Sequence, residues 1–192
     1  MAGAEAAIRY HEEASSYFTR AGSLVGIAHC RSAVGFAHYT LHDYEASINA
    51  FEEAARLFRQ LHSAAEEADC LMWLGWARHF QGKGKKARLD FQQALRLGLR
   101  ASVDKGLLDC LQKYSLHLWS ADKQHFISLA INAFVAQHPN TDGRMRIMAQ
   151  EWAERIIVFM AEDEGQEAVD KALAFGRGQT LSSLVHYLVP DM

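Results

Sequence analysis

A chain of 192 residues with 20 basic and 23 acidic side chains, a net charge of −3 and a pI near 6.4 has no cationic excess to hold nucleic acid or an anionic membrane. Its 3 cysteines are too few for a disulfide framework, so a reducing, cytoplasmic setting is the expectation. Only 2 prolines, against roughly 5% of residues in ordinary proteins, predict long uninterrupted helices.

In chain order, the first residues lack the apolar stretch of a secretory signal. Residues 4–20 read as an amphipathic helix with Ile8, Tyr10, Ala14 and Tyr17 on its apolar face. A shift of 40 positions sets Glu5, Ala6, Ile8, Glu12, Glu13, Ala14 and Phe18 on Glu45, Ala46, Ile48, Glu52, Glu53, Ala54 and Phe58. The same shift sets Gly35 on Gly75, Ala37 on Ala77, Phe51 on Phe91, Ala54 on Ala94 and Leu57 on Leu97, and it spaces Cys30, Cys70 and Cys110. Such self-similarity is the mark of a repeat architecture. Apolar spacings of 3 and 4 within each half-unit predict two amphipathic helices. The breaks at Leu41 to Tyr44 and Gln81 to Gly84 suit tight turns between them. Gly35, Gly75, Ala54 and Ala94 are small where two helix backbones would approach closely. The chain divides into a half repeat at 4–20, units at about 24–62, 64–100, 103–138 and 141–177, and a closing helix at about 179–189. The fourth unit keeps Leu111, Tyr114, Ser115, Ile127, Ile131 and Phe134. The fifth has a long first helix from about Asp142 to Glu162. The longest apolar run, Ile156 to Ala161, is too short to cross a bilayer, and no membrane insertion is expected.

Leu71, Leu74, Gly75, Arg78, Ala87, Phe91 and Ala94 fall at every spacing of the tetratricopeptide signature W-x2-L-G-x2-Y, A-x3-F-x2-A. The preceding copy reads Arg31, Val34, Gly35, His38, Ser47, Phe51 and Ala54. The chain thus resembles the tetratricopeptide repeat family. It lacks the closing proline, and its period is 40 rather than about 34 residues. These departures point to an extended variety whose second helix runs on by a turn or more. The resemblance implies an all-α, right-handed superhelical α-solenoid of antiparallel helix pairs, closed by a C-terminal capping helix. It also implies a single domain over 1–192 whose first helices line a concave face.

Transferred by motif, that face offers Phe36, Tyr39, Met72, Trp73, Trp76, His79, Phe80, Gln112 and Trp119 to a protein or peptide partner. Aromatic side chains and Met are enriched where surfaces anchor partners. The basic clamp with which some family members hold a terminal carboxylate is missing, since its positions are His29, Ser32, Phe36, Met72, Trp73 and Trp76. An apolar helix or extended peptide is therefore the expected ligand.

No constellation for catalysis, metal or cofactor stands out. His38 and His42 have the spacing of a metal pair with only Asp43 to supplement them. Gly82-Lys83-Gly84-Lys85-Lys86 lacks the spacing of a phosphate loop and reads as a solvated turn. The cysteines read as buried structural thiols, and the doublets Glu12/Glu13, Glu52/Glu53 and Glu66/Glu67 as solvated faces. The expected function is an adaptor without enzymatic chemistry. A sensor or regulatory domain of a larger signalling protein or protease is the alternative, suggested by the half repeat and by Ala174 to Leu184. A third is assembly of copies through exposed repeat ends.

Overall fold

The computed structural model describes residues 2–190, and these form ten α-helices and no strand. They fall into two compact units, Met1–Ala101 and Ser102–Met192. The first holds α1 (Ala2–Arg20), α2 (Leu24–Thr40), α3 (Tyr44–Gln60), α4 (Ala64–Phe80) and α5 (Gly84–Arg100), each packed on its chain neighbours. The all-α stack of helix pairs expected from the period of 40 is thus present.

The period has a simpler origin than the expected overrun of the second helix. Helices α2 to α5 are equally long at 17 residues, and three-residue connectors join them. The middle residue of each connector is left-handed: Gly22 (φ 67°), His42 (60°), His62 (57°) and Gly82 (77°). That conformation turns two N–H groups back on the helix just ended. Gly22 donates to the Thr19 carbonyl at 3.1 Å and Ser23 to that of Phe18 at 2.9 Å, and the same pair recurs at His42/Asp43, His62/Ser63 and Gly82/Lys83. This is the Schellman closure, which satisfies carbonyls the helix leaves open. In the first two connectors the third residue then caps the next helix with its side chain, which Ser63 and Lys83 do not. Ser23 accepts from the Gly26 N–H at 3.3 Å, and Asp43 from that of Ala46 at 3.2 Å. One turn chemistry therefore stops both helices of a unit alike, and no proline is needed.

Close approach explains the repeated glycines. A β-carbon on Gly35 would stand 3.0–3.1 Å from the Phe51 ring, and one on Gly75 would stand 3.2 Å from the Ala87 carbonyl oxygen and 3.3 Å from Phe91. Phe51 and Phe91 are fully buried, each such ring stabilising by roughly 2–3 kcal/mol. The glutamate doublets are only partly solvated. Glu67 is buried against Arg59 at 2.7 Å, and Arg31 pairs with Glu53 at 3.0 Å. Arg78, at the tyrosine position of the motif, spans three helices. Its Nη1 donates to both Asp90 oxygens, at 2.7 and 2.6 Å, and its Nη2 donates to Glu52. Burial outweighs the pull of Arg78 and pushes the Asp90 carboxyl up to about 6.

The second unit comprises α6 (Asp104–Ser120), α7 (His125–Gln137), α8 (Gly143–Asp163), α9 (Gln166–Arg177) and α10 (Leu181–Leu188). Helix α7 is its axis, packed against α6, α8 and α9. Its pairing with α6 is polar. Gln112 Nε2 donates to Asn132 Oδ1 at 2.9 Å, Asn132 Nδ2 donates to Ser115 Oγ at 2.6 Å, and Ser128 Oγ donates to the Ser115 carbonyl at 3.0 Å, all buried. The end of α7 is closed from outside. Arg146 donates to the Ala136 carbonyl at 2.8 Å, and the Thr141 hydroxyl donates to that of Val135 at 2.7 Å. On α9, Gly176 lies so close to α7 that a β-carbon there would collide with the Ala130 carbonyl. The closing helix α10 opens with a Thr180/Ser183 capping box and buries Leu184, Val185 and Leu188.

Candidate functional site

The site builds outward from the core of the first unit. Phe51, seated on Gly35, lies parallel to Trp73 with centroids 6.5 Å apart, and Trp73 meets Phe36 edge-on at 5.0 Å and Tyr39 at 5.5 Å. Farther along α4, Phe80 meets Trp76 at 4.9 Å, His79 at 5.1 Å and Tyr39 at 6.1 Å. A face of connected rings results, with centroid distances in the favourable range for edge-on and offset stacking. Phe36 and Phe80 remain 45% and 46% exposed, while Tyr39, Trp73, Trp76 and His79 are half-buried.

Hydrogen bonding and desolvation tune this face. The Trp76 indole donates to the Tyr39 oxygen, yet burial still pushes the Tyr39 phenol up. Desolvation pushes His79 down, so the ring stacked 5.2 Å from Trp76 is neutral near pH 7.

Motif transfer thus identifies six side chains that stand together. It missed a seventh, Tyr44, stacked at 5.5 Å on Phe80. Tyr44 opens α3, a second helix, so a transfer confined to first helices passes over it; only its place directly after the turn signals it. Met72 is a correction: at 3% exposure it is core, one residue and about 100° around the helix from Trp73. Gln112 is another, at 7% exposure and committed to Asn132. In the second unit Trp119 packs on His125 at 4.6 Å and Phe159 at 4.9 Å, beside the core of Leu129, Ile156 and Met160.

Below Phe36 and Trp73, toward the starts of α2 and α4, lies a cavity of about 300 Å³. Its walls are His29, Ser32, Phe58, Glu66, Asp69 and Cys70, with His29 edge-on to Phe58 at 5.1 Å. The Ser32 hydroxyl hydrogen-bonds the Cys70 sulfur, and burial pushes that thiol up to about 12. Cys30 and Cys110 are buried as well. Elsewhere His38 faces Asp43 at 3.4 Å and His42 meets the Tyr44 hydroxyl at 2.9 Å, while Gly82 and Lys83 end a connector and Gly84 opens α5.

The class these features define is an all-α protein of stacked helices with an aromatic face on its first unit. Compared with protein-family models, curated proteins and solved structures, the chain finds no match in any of the three. No described helix is long and apolar enough to cross a membrane.

Proposed function

We propose that the chain is a protein–protein interaction scaffold of the tetratricopeptide kind, docking a partner helix or peptide on the face of Phe36, Tyr39, Trp73, Trp76, His79 and Phe80. The supporting observation is the continuity of that face, whose exposed rings rest on others fixed to the buried Phe51. A preformed aromatic surface loses little entropy on binding, and residues of this kind dominate interface energetics. The mechanism is capture without chemistry, and the reducing cytoplasm suits three buried thiols. Met72 and Gln112 are left out of the docking set because they are buried. The test is recovery of partners by pull-down, followed by calorimetry. Phe36→Ala and Phe80→Ala change exposed rings, and each is expected to weaken a true partner by about 2 kcal/mol while the far-UV spectrum stays native. Wild-type affinity in both variants would refute the docking face.

One observation favours a second reading, assembly of copies through α1. Tyr10 is 70% exposed, whereas Ala50, one period on, is 8% exposed. Light scattering over a concentration series decides it.

A further inference from the structure

We infer that the partner segment pairs a Lys or Arg with an aromatic or long aliphatic anchor about 15 Å away, the cation seated beside Glu66 in the cavity and the anchor on Trp76 and Phe80. This rests on the docking reading above and adds the partner's chemistry.

The face is chemically divided along its length. Helix α4 carries Glu66, Asp69, Trp73, Trp76 and Phe80 at steps of 3, 4, 3 and 4, which is one stripe, acidic in its first half and aromatic in its second. Helix α2 opposes it with His29 and Ser32 at the acidic end and Phe36 and Tyr39 at the aromatic end. The cavity lies at the acidic end and is lined by two carboxylates and no Lys or Arg. Nearby cations are engaged with other carboxylates, Arg59 with Glu67 and Arg31 with Glu53. Glu66 is exposed at the rim, while Phe58 and Ala65 give the lining apolar surface for the aliphatic stem of a Lys or Arg. Asp69 lies in the same lining, one turn farther along α4. A cavity of about 300 Å³ admits an arginine head group but not a folded element. The charge excludes a terminal carboxylate, matching the absence of a basic clamp.

The spacing follows from the helix rise. Ten residues separate Glu66 from Trp76, or about 15 Å at 1.5 Å per residue. An extended segment covers that span in about four or five residues, and a partner helix in about ten.

To test this, the immobilised protein is panned against a random-peptide phage library, and enriched peptides are measured by fluorescence anisotropy. Enriched sequences are expected to carry Arg or Lys about four, five or ten residues from Trp, Phe, Tyr or Leu. Arg→Gln in such a peptide should weaken binding to the wild type about tenfold, or about 1.4 kcal/mol. The same change should hardly matter on the Glu66→Gln/Asp69→Asn variant, and the peptide's affinity for the wild type should fall with added salt. Because the peptide change is read on the native protein, misfolding of the variant would not obscure the result. Binders whose affinity falls in Phe80→Ala but which show no preference for a basic residue would overturn the inference and leave the docking reading standing. If no enriched peptide is sensitive to Phe36→Ala or Phe80→Ala, the docking reading fails and the inference with it.

Discussion

His62 ends α3 at φ 57°, where its β-carbon crowds the backbone and a glycine would not. Gly22 and Gly82 occupy the equivalent place without that cost. His62→Gly should therefore stabilise the protein by about 0.5–1 kcal/mol, and Gly82→Ala should destabilise it by a similar amount, both read as shifts in urea midpoint at constant slope. A loss of stability in His62→Gly would show that the exposed imidazole has contacts worth more than the strain. The Asp90 carboxyl supplies a test in pH. Raised to about 6 from an ordinary 3.8, it holds a proton in the folded chain between those values that the unfolded chain has released. Its contribution is present below pH 4 and is lost as pH rises through 6. Asp90→Asn cannot titrate, so the stability of the wild type relative to that variant should fall by on the order of 2–3 kcal/mol between pH 4 and 7. A difference that stays flat or rises would mean that Arg78 holds the carboxylate charged throughout.

At the scale of elements, the α7–α9 crossing depends on Gly176, which a methyl group would drive into the Ala130 carbonyl. Gly176→Ala should cost about 3 kcal/mol or more, because backbone cannot give way as a side chain tip does. Gly106 is the control: exposed in α6, with nothing nearer to a new β-carbon than Val103 at 4.0 Å. There the substitution should raise the melting temperature, gaining about 0.5–1 kcal/mol of helix propensity. Equal effects at both sites would refute the close approach. The helices were legible wherever packing repeats: Gly35 and Gly75 meet Phe51 and Phe91 in the same way, and residues at such contacts keep their identity at a shift of 40. The shorter beat of 20 was hidden because Gly22, His42, His62, Gly82 and Ser102 share a backbone angle and no side-chain type. In the second unit polar pairing replaces the pattern. Gln112 was therefore assigned to a surface when its partner is Asn132, a residue no periodicity marks. The aromatic site was legible in the main, whereas Tyr44 and the cavity depend on which helices meet, a tertiary fact.

For the whole molecule, the open question is what happens at the apolar face of α1. A shift of 40 places Tyr10 on Ala50 and Tyr17 on Leu57, and α3 keeps those two at 8% and 5% exposure. In α1 the tyrosines are 70% and 56% exposed, and Leu24 and Val25, at the start of α2, are 46% and 49% exposed. Repeat units stack because no single unit can bury its own apolar face, and an uncapped face retains the tendency to stack. Tyr10 and Tyr17, seven residues apart on α1, leave large apolar side chains in solvent, and exposed apolar surface of this kind marks association sites on soluble proteins. The expected outcome is self-association that grows with concentration, seen as a rising weight-average mass in sedimentation or light scattering. Tyr10→Lys/Tyr17→Lys should return the protein to the monomer mass with its helical content unchanged, because neither ring is core. High salt should strengthen wild-type association, the sign expected of apolar contact and opposite to that of an ion-paired interface. A wild-type chain that stays monomeric at high concentration would leave the tyrosines as solvent-facing residues and remove the second reading, without touching the aromatic face on α2 and α4.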